Sequence, residues 1–338
     1  MKKLFKILFV ITLISSSMIS ISSNNWLGMW MGMEINLLSI IPLMQKSMNK
    51  MSAESSIKYF ITQTLASSIL ITTMMFTMMI SGTTSGTENS FLNMIMISAL
   101  LMKMGMAPFH FWFTEIMEGL SWMNCMIMMT WQKLTPMVFV MYNMIFPMFS
   151  EIIIIIGTII SSVMSFNQTS MRKLLTFSSI NHMSWMMSSM MMSQTIWMYY
   201  FLVYSLLTIN ITWMMMKFKI SMISQMNSNN LFYPMKMLFL LNMMNLGGLP
   251  PLLGFLPKWM TIEMLMNKNM LFLSLLMLIT STMMIFIYLK IMLSSILMGK
   301  SATNWKLKPI KIKSFLISKY NITNLLTLTT MTLMFNNS

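Results

Sequence analysis

A chain of 338 residues that is 56% hydrophobic and 9% charged, with a mean hydropathy of +0.70, reads as a polytopic membrane protein rather than one or two soluble domains. One cysteine, Cys125, and two histidines, His110 and His182, exclude an internal disulfide and an iron–sulfur cluster that needs four cysteine ligands. No Gly-rich nucleotide loop or P-loop is present either.

Charge-free stretches at 7–33, 59–87, 152–171 and 320–338 are each long enough to cross a bilayer, and 174–216 is long enough to cross it twice. Runs so uniformly apolar predict an all-α protein, not alternating barrel strands. Methionine supplies 55 residues, spread over every span. As packing it is a flexible filler; as coding bias it fits an AT-rich mitochondrial genome that reads AUA as methionine.

Residues 1–22 imitate a secretory signal, with Lys2, Lys3 and Lys6 before an apolar centre and a Ser-rich end. The next apolar run begins after Ser23-Asn24-Asn25, which favours a retained first span paired with its neighbour. That second span, 26–44, carries Glu34 near its centre, an acid that must be paired or proton-exchanging. Gly28 and Gly32 form a small-xxx-small pair, read as ordinary helix packing. A basic loop with Lys46, Lys50 and Lys58 precedes a third span at about 59–80, and SGTTSGTENS at 81–90 is a turn-rich connection.

Spans four and five each place a lysine near mid-membrane. Lys103 is the thirteenth residue counted from Phe91, and Lys133 the thirteenth from Ser121. A charge at that depth costs roughly 3 kcal/mol on insertion scales, so such lysines usually face a protein cavity and function there; the alternative is snorkelling near helix ends. Pro108 lacks an amide hydrogen and is expected to free the carbonyl of Met104 beside Lys103. Pro136 is expected to do the same at Gln132 beside Lys133. Spans six to eight fall at 152–166, 174–192 and 196–216, with His182 read as a hydrogen-bonded core residue rather than a metal ligand.

Span nine, LLNMMNLGGLPPLLGFLPKW, is the least regular. Pro250, Pro251 and Pro257 are expected to free the carbonyls of Leu246, Gly247 and Leu253, while Gly247, Gly248 and Gly254 permit non-helical angles. Discontinuous helices of this kind build ion sites in transporters, and Lys258 follows directly. Span ten covers 271–290, a basic loop 300–319, and an eleventh span ends near Phe335. The whole of 1–338 is read as a single membrane domain. On the N-terminal side of this topology lie 17 of the 22 basic residues, which places that side on the positive-inside face. The charge of +15 is thus topology and contact with phospholipids such as cardiolipin, not a nucleic-acid footprint.

The motifs WLGMWMGMEINLLS, SSIKYFITQ, LLMKMGMAPFHFW, TWQKLTP, NQTSMRKLL, FSSINHM and NLGGLPPLLGFLPKW stand in one order along nearly the whole chain. In these the chain resembles the subunit 2 family of mitochondrial NADH:ubiquinone oxidoreductase, respiratory complex I, in its short animal form with eleven spans. Thr114 stands where that family commonly has proline, and Ser184 where glycine is common. The resemblance implies an antiporter-like proton-pumping subunit, with discontinuous helices near Lys103 and at 247–258. Its partners are the neighbouring membrane-arm and accessory subunits, and NADH, flavin, iron–sulfur clusters and ubiquinone are bound by other subunits. The N-terminus and basic loops then face the matrix, and the C-terminus the intermembrane space.

By position, Glu34 looks like the acidic partner of Lys103, Lys133 and Lys258 resemble the central and distal members of a lysine relay, and His110 is a candidate polar link. Charged groups recurring near mid-membrane on different spans imply a partly lateral route. The buried charges alone are equally compatible with a free-standing cation/proton antiporter, and a third reading is a structural membrane-arm subunit whose lysines are sealed ion pairs.

Overall fold

The computed structural model describes residues 2–45, 49–80, 87–143, 147–228 and 233–298. The eleventh span and the basic loop 300–319 lie outside these residues. Fourteen helices account for nearly all of the described chain, and two compact units divide it at Ile153.

The first unit holds α1 (Lys2–Ser22), α2 (Trp26–Met44), α3 (Lys50–Ile80), α4 (Thr87–Met104), α5 (Phe111–Gly119), α6 (Trp122–Met129) and α7 (Trp131–Tyr142). α1 packs along α2 as expected of a paired first span. Gly32 makes the close approach, since a methyl group there would stand 2.6 Å from Cβ of Ser20. α3 packs on α2, α4 and α5, and α4 on α7. The junction of α5 with α3 is tight: a side chain at Gly119 would meet the Met51 carbonyl at 2.5 Å, and Lys58 reaches Glu115 at 2.8 Å. That ion pair is exposed and screened by solvent, so packing holds α5 in place.

α8 (Pro147–Ser165) runs across the division. The second unit continues with α9 (Met171–Met192), α10 (Gln194–Phe218), α11 (Ile223–Ser228), α12 (Tyr233–Gly247), α13 (Phe255–Asn267) and α14 (Leu271–Met298). α9 is its core, buried on every face from Leu174 to Met190. Such a helix can be rich in serine because each hydroxyl bonds a carbonyl three residues back, as Ser179 does to Thr176 and Ser184 to Asn181.

Among the described residues, six helices are long and apolar enough to span a membrane by length and composition: α1, α2, α3, α8, α10 and α14. The stretches read from the sequence as spans five and nine each contain two shorter helices, α6 with α7 and α12 with α13. Pro136, expected to free the Gln132 carbonyl, lies inside a continuous α7, just as Pro42 lies inside α2. A proline removes one hydrogen bond and keeps a helical φ, and the buried packing of Thr135, Met137, Phe139 and Val140 holds the helix through it. The interruption falls at Thr130, at φ −111° and ψ −74°, whose amide and hydroxyl both donate to the Met126 carbonyl.

Candidate functional site

Each buried lysine stands within a turn of a helix interruption. Lys103 lies in the last turn of α4, where the chain leaves the helix through Gly105 at φ +69°. Ending a helix in an apolar setting strands its last carbonyls, and two side chains meet them. The Gln63 amide on α3 donates to the Lys103 carbonyl at 3.2 Å, and the Trp112 indole on α5 to the Met102 carbonyl at 3.1 Å. The carbonyls capped here are those of Met102 and Lys103, while Pro108 was expected to free that of Met104. The Lys103 ammonium lies 3.6 Å from the Glu34 carboxylate on α2, with the lysine side chain 5% and the glutamate 22% exposed. This is ion-pair distance but long for a hydrogen bond, so the pair is held by charge more than by directed bonding.

Phe113 connects this break to the next lysine. Its side chain fills the space that a Cβ on Gly105 would need, at 2.8 Å, and its ring lies 5.0 Å from the Lys133 ammonium. Lys133 is fully buried in the first turn of α7, just past the interruption at Thr130. Its neighbour Gln132 makes a reciprocal amide pair with Asn36 on α2, at 3.0 and 3.1 Å. His110 is buried where α5 begins, its Nδ1 3.3 Å from the Pro108 carbonyl and its ring 4.3 Å from that of Phe111.

In the second unit, α12 stops at Gly247 and α13 restarts at Phe255. The Lys258 ammonium donates to the Gly247 carbonyl at 2.7 Å, one of the carbonyls that the Pro250-Pro251 pair was expected to free. It also lies 5.5 Å from the Trp185 ring of α9, a distance at which the face of an indole attracts a cation. Asn245 cinches the interruption, its side-chain oxygen accepting the Gly254 amide at 2.7 Å. A side chain at Gly254 would collide with the Asn245 carbonyl, and Gly248 takes φ +81° directly against the Lys258 stem. His182 is a hydrogen-bonded core residue, with Nδ1 3.0 Å from the Tyr200 hydroxyl.

The structure therefore brings Glu34 to Lys103, places Phe113 between the Gly105 break and Lys133, and seats Lys258 on its own helix break. Sequence reasoning missed Gln63, Trp112, Phe113, Gln132 with Asn36, and Asn245. Gln132 and Asn36 carried a signal, as amides in apolar spans one and two residues from a buried charge. Among the described residues no three His, Cys, Asp or Glu side chains gather as a metal site.

Comparison with known proteins gives this geometry a family context. A family profile described as NADH:quinone oxidoreductase/Mrp antiporter, TM, matches residues 23–284. NADH-ubiquinone oxidoreductase chain 2 of Anopheles gambiae is 46% identical over 91% of this chain and 91% of its own length, and that of Lemur catta is 34% identical over 91% and 90%. Among solved structures, a chain of respiratory complex I from Thermus thermophilus superposes with a TM-score of 0.84 at 19% identity, covering 97% of this chain and 77% of that one. A chain of the Mrp complex from Dietzia does so with a TM-score of 0.75 at 15% identity, covering 84% and 59%.

Proposed function

Because the chain belongs to the NADH-ubiquinone oxidoreductase chain 2 family, we infer that it is a core membrane-arm subunit of NADH:ubiquinone oxidoreductase. In that role it takes part in proton translocation across the mitochondrial inner membrane, coupled to electron transfer from NADH to ubiquinone. Glu34, Lys103, Lys133 and Lys258 hold and hand on the protons, with His110 as a polar link.

The observation that carries this reading is the Lys103–Glu34 contact of 3.6 Å beside the end of α4. With Glu34 at that distance the Lys103 ammonium has a counter-charge. With Glu34 withdrawn, a lone charge in a water-poor site is costly, and the proton leaves for another base. A sealed structural pair has no use for a moving acid. The acid here stands on a different helix from its lysine and makes no short hydrogen bond to it, so little directed bonding opposes the motion.

The chain itself works without a cofactor, and NADH, flavin, iron–sulfur clusters and ubiquinone belong to other subunits. Neighbouring membrane-arm and accessory subunits and lipid cover its apolar exterior, such as Leu4, Phe5 and Leu8 on α1 and Phe272 on α14, all more than half exposed. The basic loops and the N-terminus face the matrix, where anionic lipids such as cardiolipin meet them, and the C-terminus faces the intermembrane space. The test is proton translocation by the assembled complex in vesicles. Lys103→Met is expected to assemble and to pump poorly; unimpaired pumping in assembled Lys103→Met removes the carrier role.

A further inference from the structure

Glu34 and Asn36 stand two residues apart on α2, so at about 100° per residue their side chains leave the helix on nearly opposite sides. One side meets Lys103 on α4 and the other meets Gln132 on α7. α2 runs antiparallel to the broken helix α6–α7 and is tied to it at three levels. The rings of Trp26 and Phe139 lie 6.5 Å apart near one end, and the Asn124 amide donates to the Leu43 carbonyl at 2.9 Å near the other. Between them, Asn36 and Gln132 exchange two hydrogen bonds, at 3.0 and 3.1 Å, one residue before Lys133 and two after the Thr130 interruption.

These ties resist different motions. A bond to a backbone carbonyl attaches close to the helix axis and yields to rotation about it, and a ring contact without hydrogen bonds slides. A buried carboxamide standing off the axis and bonded at both of its ends does neither. A rotation of about 30° carries a side-chain tip roughly 5–6 Å from the axis through about 3 Å. That displacement is enough to end the Glu34–Lys103 contact.

We propose that the Asn36–Gln132 amide pair is a rotation lock on α2. It sets the angle at which Glu34 meets Lys103 and ties that angle to the first turn of α7, which carries Lys133. Asn36 and Gln132 are thus positioning residues: neither carries a proton, and each acts through the charged neighbour on its own helix. The inference rests on the reading of Glu34 and Lys103 as a proton-holding pair.

The decisive variant replaces both amides with apolar side chains of similar size, Asn36→Leu with Gln132→Met. Removing both partners leaves no buried amide unsatisfied and is close to neutral for folding, whereas either change alone strands its partner. In the intact complex the double variant is expected to assemble to within twofold of wild type and to lower the number of protons pumped per electron at least twofold. Exchanging the two residues, Asn36→Gln with Gln132→Asn, rebuilds an amide pair of the same total length and is expected to restore the ratio.

An assembled double apolar variant that pumps at the wild-type ratio overturns the lock, since a merely structural pair predicts that result. Should that variant fail to assemble, Gln132→Asn alone shortens the pair by one methylene without adding charge. It must lower the ratio, and the added Asn36→Gln must raise it again; a wild-type ratio in Gln132→Asn refutes the lock. Lys103→Met, measured alongside, separates the two ideas. If it pumps normally the proton-holding reading fails, and if it is defective while the lock variants are normal, the lock alone fails.

Discussion

Gly254→Ala tests whether the geometry of the α12–α13 interruption sets the behaviour of Lys258. The added methyl group would run into the Asn245 carbonyl, with the carbon of that carbonyl at 3.0 Å and the Asn245 side-chain oxygen at 3.2 Å. These neighbours are backbone and a hydrogen-bonded amide, so they cannot swing away as a free side-chain end would. Overpacking of this kind costs about 1–3 kcal/mol, and losing the Gly254 amide bond to Asn245 adds about 1. A total of about 2–4 kcal/mol corresponds to an equilibrium shift of roughly 30- to 700-fold away from the observed loop.

Lys258 enters α13 four residues later, so the relaxed loop withdraws the Gly247 carbonyl from its ammonium. Two sister substitutions calibrate the effect. Gly247→Ala meets only the side chains of Ile285 and Tyr288, at 3.1 and 3.3 Å, and is expected to be mild. Gly248→Ala pairs a positive φ with a 3.0 Å approach to the Lys258 stem and falls between. Proton pumping by the assembled complex in vesicles, normalised to its content, should rank wild type, Gly247→Ala, Gly248→Ala and Gly254→Ala in falling order, the last down about tenfold or more. Wild-type pumping in Gly254→Ala, or greater harm from Gly247→Ala, would refute the reasoning.

Glu34→Gln should impair pumping less than Lys103→Met, and the double variant should be no worse than Lys103→Met alone; simple addition of the two defects in vesicle assays would mean independent sites. Gln63→Leu leaves the Lys103 carbonyl without its donor in a buried site and should lower thermal stability by about 1–3 kcal/mol, read as the melting point of the assembled complex. Protease should cut 300–319 and 81–90 from opposite faces of oriented vesicles, and cleavage of both from one side contradicts the eleven-span arrangement. The isolated chain should show neither a flavin or haem spectrum nor stoichiometric iron.

The residues that bear charge were legible in the sequence because an ionisable group in an apolar span is costly enough to stand out. Lys103, Lys133 and Lys258 are buried, Glu34 stands against Lys103, and Gly247 offers its carbonyl as the following prolines implied. The partners were not legible. Trp112 and Gln63 cap α4 across 10 and 40 residues of sequence, and nothing in a tryptophan or glutamine at those positions names the carbonyl that it will meet. Thr130 interrupts its helix without glycine or proline, at φ −111° and ψ −74°, whereas Pro136 lies inside a continuous α7. Local chemistry thus located the breaks only where the chain had no alternative, as at Gly248 and Gly254.

The lysines also differ in what holds their charge, and this separates the controls. Lys103 is met by the Glu34 carboxylate at 3.6 Å and Lys258 by the Gly247 carbonyl at 2.7 Å. The hold at Lys103 comes from a side chain on another helix, so it is released by moving α2, which the Asn36–Gln132 pair governs. The hold at Lys258 comes from the carbonyl at the end of α12, so it is released by opening the loop that Asn245 and Gly254 cinch. A change in either unit therefore acts on its own lysine first. On this reasoning, loosening α2 and loosening the Gly254 loop should disturb pumping by separable steps, with the first abolished as a distinct effect when Lys103 is already methionine and the second persisting in that background.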